Sequence, residues 1–456
     1  MPAAPHLGLR LIPNRAKPTT AMTPDHGFRL PLIHLPAAGI DLHKWAVVAC
    51  DQYTSEPAYW EAVEREVGEA PSTLCLIFPE VHLDDVDAAA RIERIQAAMR
   101  DYLARGLLVE HRGPIHVERR VGGRTRHGLM LELDLERYDF DAASTSLIRP
   151  TEGTIVARIA PRVAVRRGAA LELPHVMVLI DDPEGTVIEP LTRQRDALAP
   201  LYDIELMAGG GHVSGRAVDA PRADRVVAAL DALADPHAFA RRYRVPDGTP
   251  VMLFPVGDGN HSLATAKATW NEIRATAGPD HPGRFALVEI VNIHDPALVF
   301  EPIHRLLFGV TVDLRDALTQ AFGSALHWAE VASAAAMREQ VGSHSHRFGL
   351  IGPGAHFWVG EIDGAPTALG LDALQPFIDR LLEGPAIADV DYIHGDEVLE
   401  RLAQAPGHAG VHLPALDKSE LLRRVVHKGP LPRKTFSIGE ANEKRYYVEA
   451  RRITPG

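Results

Sequence analysis

A mixed fold, α+β or irregular α/β with a mixed sheet, is what this sequence predicts, and three observations predict it. Short apolar runs alternate with segments whose apolar residues recur at three and four. Their order has no regular βαβ rhythm and no internal repeat. No Gly-x-Gly-x-x-Gly or Walker loop stands where a strand opens a helix, so the usual dinucleotide and P-loop builds are set aside. At 456 residues the chain exceeds one ordinary core, and two subdomains or one enlarged domain are expected.

The elements follow in order. Residues 1–29, rich in Pro and Thr, read as a loose leader. Pro31 to Pro57 reads as short strands and turns. PAYWEAVEREVG fits a helix because Trp60, Val63 and Val67 share a face. In DDVDAAARIERIQAAMRDYLARGLL, Ile92, Ile95, Met99 and Leu103 define a longer helix, with Asp84 or Asp85 as its cap and Gly106 as its end. Two β-like runs flank Gly122-Gly123, a hairpin signature. GTIVARI and HVMVLIDD read as strands, Pro190 to about Met207 as helical, and Gly209 to Gly211 as an irregular joint. A helix over about 222–243 precedes a strand at Met252–Val256 and a helix from His261 to Ile273. FALVEIVNIHD is a strand, and EPIHRLLFGV runs from a strand into a turn. Beyond it, helices are expected near 312–322, 330–341, 371–383 and 395–404, and strands near 347–360 and 445–453. These elements suggest a core over 30–309 and a C-terminal α/β subdomain over 310–456.

Composition narrows the function classes. Apolar residues at 46% and charged residues at 24% are ordinary for a folded globular protein. A net charge of −12 without a dense basic run opposes general nucleic-acid binding. Two cysteines, Cys50 and Cys75, are too few for a disulfide scaffold and suit a reducing cytoplasm. No signal peptide and no apolar twenty-mer are seen, so a cytoplasmic protein with no membrane span is expected; a homo-oligomer is compatible with this.

The densest chemistry lies in VMLFPVGDGNHSLATAKATW. Gly257 and Gly259 bend the chain between strand and helix, and the first N–H groups of that helix would point into the turn as a preformed anion site. Asp258 could hold a divalent cation or act as a base, Asn260 and Ser262 add hydrogen bonds, and His261 could bind phosphate. The plainer alternative is that Asp258 or Asn260 caps the helix and His261 packs beneath it. No His-x-x-x-His stands with a carboxylate, so a dedicated zinc site is not expected.

GDGNHSLATAK resembles the Asp-Gly-(His/Asn)-His-(Arg/Ser) signature of the domain-of-unknown-function family DUF1015, whose motif is similar to that of free serine kinases with a ParB- and sulfiredoxin-like fold. DQYTSEPAYWEAVEREVGEAPSTLCLIFPE, IRPTEGTIVARIAPR, LELPHVMVLIDD, LMAGGGHVSG, EPIHRLL and LPRKTFSIGEANEKRYY resemble family segments in the same order, over most of residues 31–450. The resemblance implies a ParB-like core, a nucleotide (ATP or ADP), Mg2+ and a small hydroxyl substrate such as free serine. Asp258 would then sit beside metal or phosphate, and Gly257 to Ser262 would cradle phosphate.

The arginine that follows the kinase histidine is Ser262 here, so a cation must come from elsewhere. Arg149 could grip phosphate, with Glu152 as base, or could form an ordinary surface ion pair. His304 and Arg305 could line the site, or His304 could be a buried histidine bonded to backbone. Lys434 could reach phosphate or belong to a solvated basic turn. Asp51 and Glu56 are alternative bases, beside a capping role for Thr54 or Ser55. The triple glycine with His212 could be a lid or a phosphate nest. A nucleotide- or amino-acid-binding regulator without turnover, and a phosphoester hydrolase, would use the same groups.

Overall fold

The strands expected on either side of Gly122-Gly123 are there, Ile115–Val121 and Arg124–Asp134, paired antiparallel with Val121 opposite Arg124. In the computed structural model, which describes residues 26–54, 56–83, 85–154, 159–364 and 370–455, this hairpin lies inside a nine-stranded sheet. Phe285–Asn292 pairs antiparallel with Arg124–Asp134 and parallel with Met177–Ile180, which pairs antiparallel with Phe254–Asp258. On the other flank Gly211–Ala217 joins Ile115–Val121, and Ala199–Leu206 forms the edge.

The middle strands are buried on both faces, because side chains alternate between two cores. Leu129, Leu131, Leu133, Val288 and Ile290 meet Val226 and Leu230 of the helix Ala220–Leu233 and Leu263 and Trp270 of the helix Asn260–Ile273. Met130 and Leu287 face the other way, toward Trp60 and Val63 of the helix Pro57–Val67 and Ile95 and Met99 of the helix Ala88–Ala104. Burying such side chains contributes about 1.5–3 kcal/mol each, which is why continuous apolar runs take central positions.

Residues 440–455 run along this first unit. Tyr446 bridges to Val48, Ala450 bridges to His34, and Arg451–Arg452 pairs with Leu171–Glu172. Buried ions pin the segment: Arg445 donates to Glu289 (2.5 Å) and Glu449 (2.5 Å), and Arg451 donates to Glu172 (2.6 Å).

The described residues form two compact units, 26–149 with 159–298 and 440–455, and 150–154 with 299–364 and 370–439. The second unit carries an antiparallel seven-stranded sheet in the order Leu326–Val331, His356–Ile362, Arg347–Gly352, His408–His412, Phe300–Phe308, Asp389–His394, with Phe436–Ile438 also on Phe300–Phe308. Its core joins Leu306 and Ile351 to Met337 of the helix Ala334–Val341 and Leu399 of the helix Asp396–Ala403.

Several expectations change. The division expected at 309/310 falls at 298/299, because Phe300–Phe308 is bonded to three strands of the second sheet. Residues 440–455 belong with the first unit. Within the expected leader, 1–25 lie outside the described residues, and Phe28–Arg29 pairs with Leu133 and Glu132. The helix expected from Pro190 to Met207 is only Glu189–Arg193; Tyr202, Ile204 and Leu206 alternate inward on a strand, a period of two rather than 3.6. In GTIVARI, 155–158 lie outside the described residues and Ile159 starts the helix Ile159–Arg166, where Ile159 and Val163 share the face packed on Ala264. Gly211 opens the strand Gly211–Ala217, so regular structure begins within the triple glycine. Of the stretch 445–453, only Arg451–Arg452 is a strand. The helix Lys418–Lys428 and the strands Asp389–His394 and His408–His412 were not expected.

Candidate active site

The turn after Phe254–Asp258 is set by one residue. Gly259 has φ +75°, and a Cβ there would stand 2.9 Å from Val176 Cα, so both backbone angle and space require glycine. The chain then enters the helix Asn260–Ile273 with Gly259 at its N-cap and no side chain capping it. Capping by Asp258 or Asn260 is therefore not what the turn uses. Instead Asp258 Oδ1 accepts from the Gly259 N–H at 2.9 Å, and its Oδ2 accepts from Lys444 Nζ at 3.0 Å. Asn260 Oδ1 is buried with no hydrogen-bond partner. A helix N-terminus without a cap, beside an ammonium, favours negative charge.

Lys444 also lies in the field of a second carboxylate, Asp51. Burial pushes the Asp51 pKa up, but His175, a hydrogen bond from Gln52, Lys444 and Arg162 outweigh it and hold the carboxyl below its ordinary value. His175 Nε2 is 3.9 Å from Asp51 Oδ2. Cys50 N–H donates to Tyr447 Oη (3.1 Å), and Tyr447 Oη and His175 Nδ1 are hydrogen-bonded at 2.8 Å, which orients the imidazole. Nearby, Arg162 and Glu80 pair at 2.5 Å, and burial raises the Glu80 pKa. Burial also raises the Cys50 thiol, which makes it inert.

The remaining residues singled out in the sequence have other occupations. Arg149, in the first unit, donates to the carbonyls of Ser146 (2.7 Å), Thr145 (2.9 Å) and Pro250 (2.7 Å), and burial pushes its pKa down to about 10. It ties two loops rather than waiting for phosphate. Glu152, His304, Arg305 and Lys434 lie in the second unit. Glu152 accepts from three backbone N–H groups, Lys434 (3.3 Å), Thr435 (3.0 Å) and Phe436 (3.3 Å). Burial raises its pKa against those donors. Arg305, fully buried, donates to Gln375 Oε1 (2.9 Å) and to the carbonyls of Ile303 (2.5 Å), Lys434 (2.8 Å) and Arg433 (3.2 Å). Together Glu152 and Arg305 hold Lys434 in a left-handed conformation, φ +56°, with its side chain exposed. His212 meets Asp203 at 2.6 Å. Glu56 stands at the N-cap of Pro57–Val67 without a side-chain cap bond, and Ser55 lies outside the described residues.

His304 joins a cluster that sequence reading missed. Its Nε2 is 2.9 Å from Asp396 Oδ1, which is also 3.1 Å from His412 Nε2, and the two rings stack at 4.6 Å. Three ligand-type atoms this close have metal-site spacing. Protonation decides against it. Leu413 N–H donates to His304 Nδ1 at 3.1 Å, so the proton of neutral His304 is on Nε2, where a metal would need the lone pair. Burial lowers the His304 pKa against the pull of Asp396, and hydrogen bonds from His304 and His412 hold Asp396 far below the carboxylate range. The cluster is a hydrogen-bonded brace.

The fold and site define a mixed α/β protein with a lysine-paired carboxylate at a strand-turn-helix junction. The family described as "protein of unknown function (DUF1015)" matches residues 34–379, and the chain belongs to it. No curated protein matches. Among solved structures, free serine kinase in complex with AMP is similar at 12% identity and TM-score 0.36, over 71% of this chain and 91% of that one. A conserved hypothetical protein from Pyrococcus furiosus is similar at 12% identity and TM-score 0.35, over 71% and 95%. SbnI with a C-terminal truncation, from Staphylococcus aureus, is similar at 11% identity and TM-score 0.34, over 68% and 83%. Among the described residues no helix is long and apolar enough to cross a membrane.

Proposed function

We propose that this protein transfers a phosphoryl group from ATP or ADP to the hydroxyl of a small metabolite, free serine or another hydroxy amino acid, on a ParB-like core in the cytoplasm. The observation that carries the reading is the Lys444–Asp258 pair at the uncapped start of the helix Asn260–Ile273. Lys444 supplies the cation that Ser262 takes away from the motif, and this favours turnover over binding alone. A nucleotide bound at this turn would supply the phosphoryl group, and Mg2+, for which Asp258 is the candidate carboxylate, would neutralise its charge.

The chain's own groups do the rest. The backbone of Gly257 to Ser262 and the side chains of Asn260 and His261 hold phosphate oxygens, Asp258 organises the cation side, and Lys444 balances charge on the transferring group. Asp51, kept ionised and faced by His175, receives the hydroxyl proton in place of Glu152, whose oxygens already accept backbone donors. The test is a transfer screen with Mg2+, ATP or ADP and a panel of hydroxy amino acids, read by mass. A phosphorylated product that disappears in Asp258→Asn and Lys444→Met supports the reading. Nucleotide-induced stabilisation with no product from any acceptor would sink it and leave a binding protein; phosphate release without a new ester would mean hydrolysis.

A further inference from the structure

Away from that turn, the first unit encloses a small cavity lined by Arg119, Arg126, Glu289, Arg445, Tyr446 and Glu449, among others. Its free volume, about 10 Å3, is room for one water molecule or one small ion. The lining is unusual in its charge. Arg119 and Arg126 are Cα partners across the hairpin ladder, so two like charges stand directly opposite on one face, a destabilising arrangement even at a surface. Both are buried, at 3% and 9% exposure.

Neither guanidinium is satisfied. Among the described residues Arg126 makes one ionic contact, to Glu289 Oε1 at 3.6 Å, and no hydrogen bond; its Nε is buried without a partner. Arg119 donates to Asn442 O (3.0 Å) and weakly to His212 O (3.5 Å), and its Nε is also a buried orphan. The acids do not cancel the cations. Glu289 and Glu449 are engaged by Arg445 at 2.5 Å each, so three arginines against two glutamates leave one positive charge. A buried donor left unpaired costs about 1–3 kcal/mol, and a buried excess charge costs more.

We propose that this cavity is a binding site for a single halide-sized monovalent anion, held between Arg119 and Arg126. Chloride neutralises the excess charge and accepts from the orphan N–H groups, whereas a water molecule, which can accept the same bonds and donate to the unpartnered Glu289 Oε1, leaves that charge uncancelled. The side chain of Glu289 reaches the region only because residue 128 is glycine: a Cβ there would meet Glu289 Oε1 at 2.2 Å. Gly128 thereby places the carboxylate on the Arg126 flank and leaves the space between the two arginines to the anion.

The experiment is thermal unfolding of the full chain at constant ionic strength, with chloride or bromide replacing gluconate. Tm is expected to rise by about 3 °C for each tenfold increase of halide above its Kd, and the rise is expected to vanish in Arg126→Met. Should that variant fail to fold, wild-type crystals grown in bromide decide the matter, with an anomalous peak expected between the two guanidiniums. A Tm indifferent to halide identity, or a cavity holding water where bromide is expected, overturns the proposal.

Discussion

Asp258 in the first unit and Glu152 in the second are both carboxylates beside turns, yet their surroundings differ in kind. Glu152 is surrounded by backbone N–H donors that cannot leave, and the same turn returns its carbonyls to Arg305. Asp258 instead faces an ammonium on a flexible stem and keeps 30% of its side chain exposed. A carboxylate held by backbone builds a turn; one held by a lysine can exchange its partner for a ligand. The arginines divide in the same way, since Arg149 and Arg305 are tied by several carbonyls while Arg119 and Arg126 each keep a buried Nε without a partner.

Four outcomes would break or sharpen this contrast. The largest effect is expected from Arg445→Met, which leaves Glu289 and Glu449 buried without their cation and should cost about 3–5 kcal/mol in urea unfolding. Next is acid. Burial pushes the His116 pKa down to about 4 from 6.5. The unfolded chain takes up the proton below 6.5 and the folded one does not until about 4. Stability should therefore be flat above 6.5 on this account and fall by about 3 kcal/mol on the way down to pH 4. His116→Gln, measured across the same range, should flatten that slope.

Asp258→Asn comes third, with transfer reduced at least about 100-fold and unfolding changed by less than about 1 kcal/mol, because a part-exposed pair adds little stability. Glu152→Gln should do the reverse, costing about 1–3 kcal/mol in stability while a nucleotide titration leaves Kd within about twofold. If Asp258→Asn unfolds the protein and Glu152→Gln abolishes transfer in a fully folded one, the contrast is inverted and the site assignment fails.

The turn was legible because its cause is local: strand, glycine and helix lie within twenty residues. The hairpin was legible for the same reason, and it contained more than was taken from it. Counting outward from Gly122-Gly123 pairs Val121 with Arg124 and then Arg119 with Arg126, so the facing arginines follow from register alone. Lys444 was not legible. Lys434, ten residues earlier in the same basic stretch, looked equivalent, and only the packing of residues 440–455 along the first unit separates them. His412 and Asp396 escaped because their strand and helix were joined to His304 by long-range pairing, which short-range periodicity does not report. Tyr202 to Leu206 misled because a short apolar run supports both periods until its partner strand is known.

The segment that carries Lys444 has a consequence for the order in which the protein comes into being. A ribosome delivers the Asp258 turn nearly two hundred residues before Lys444, with all of the second unit but residues 150–154 in between. A nascent chain therefore holds the helix, the glycine turn and both carboxylates while lacking the cation that balances them. The proposed phosphoryl transfer would be withheld until residue 444 has emerged and Arg445 and Arg451 have found Glu289 and Glu172. Completion of the fold and readiness of the site are one event.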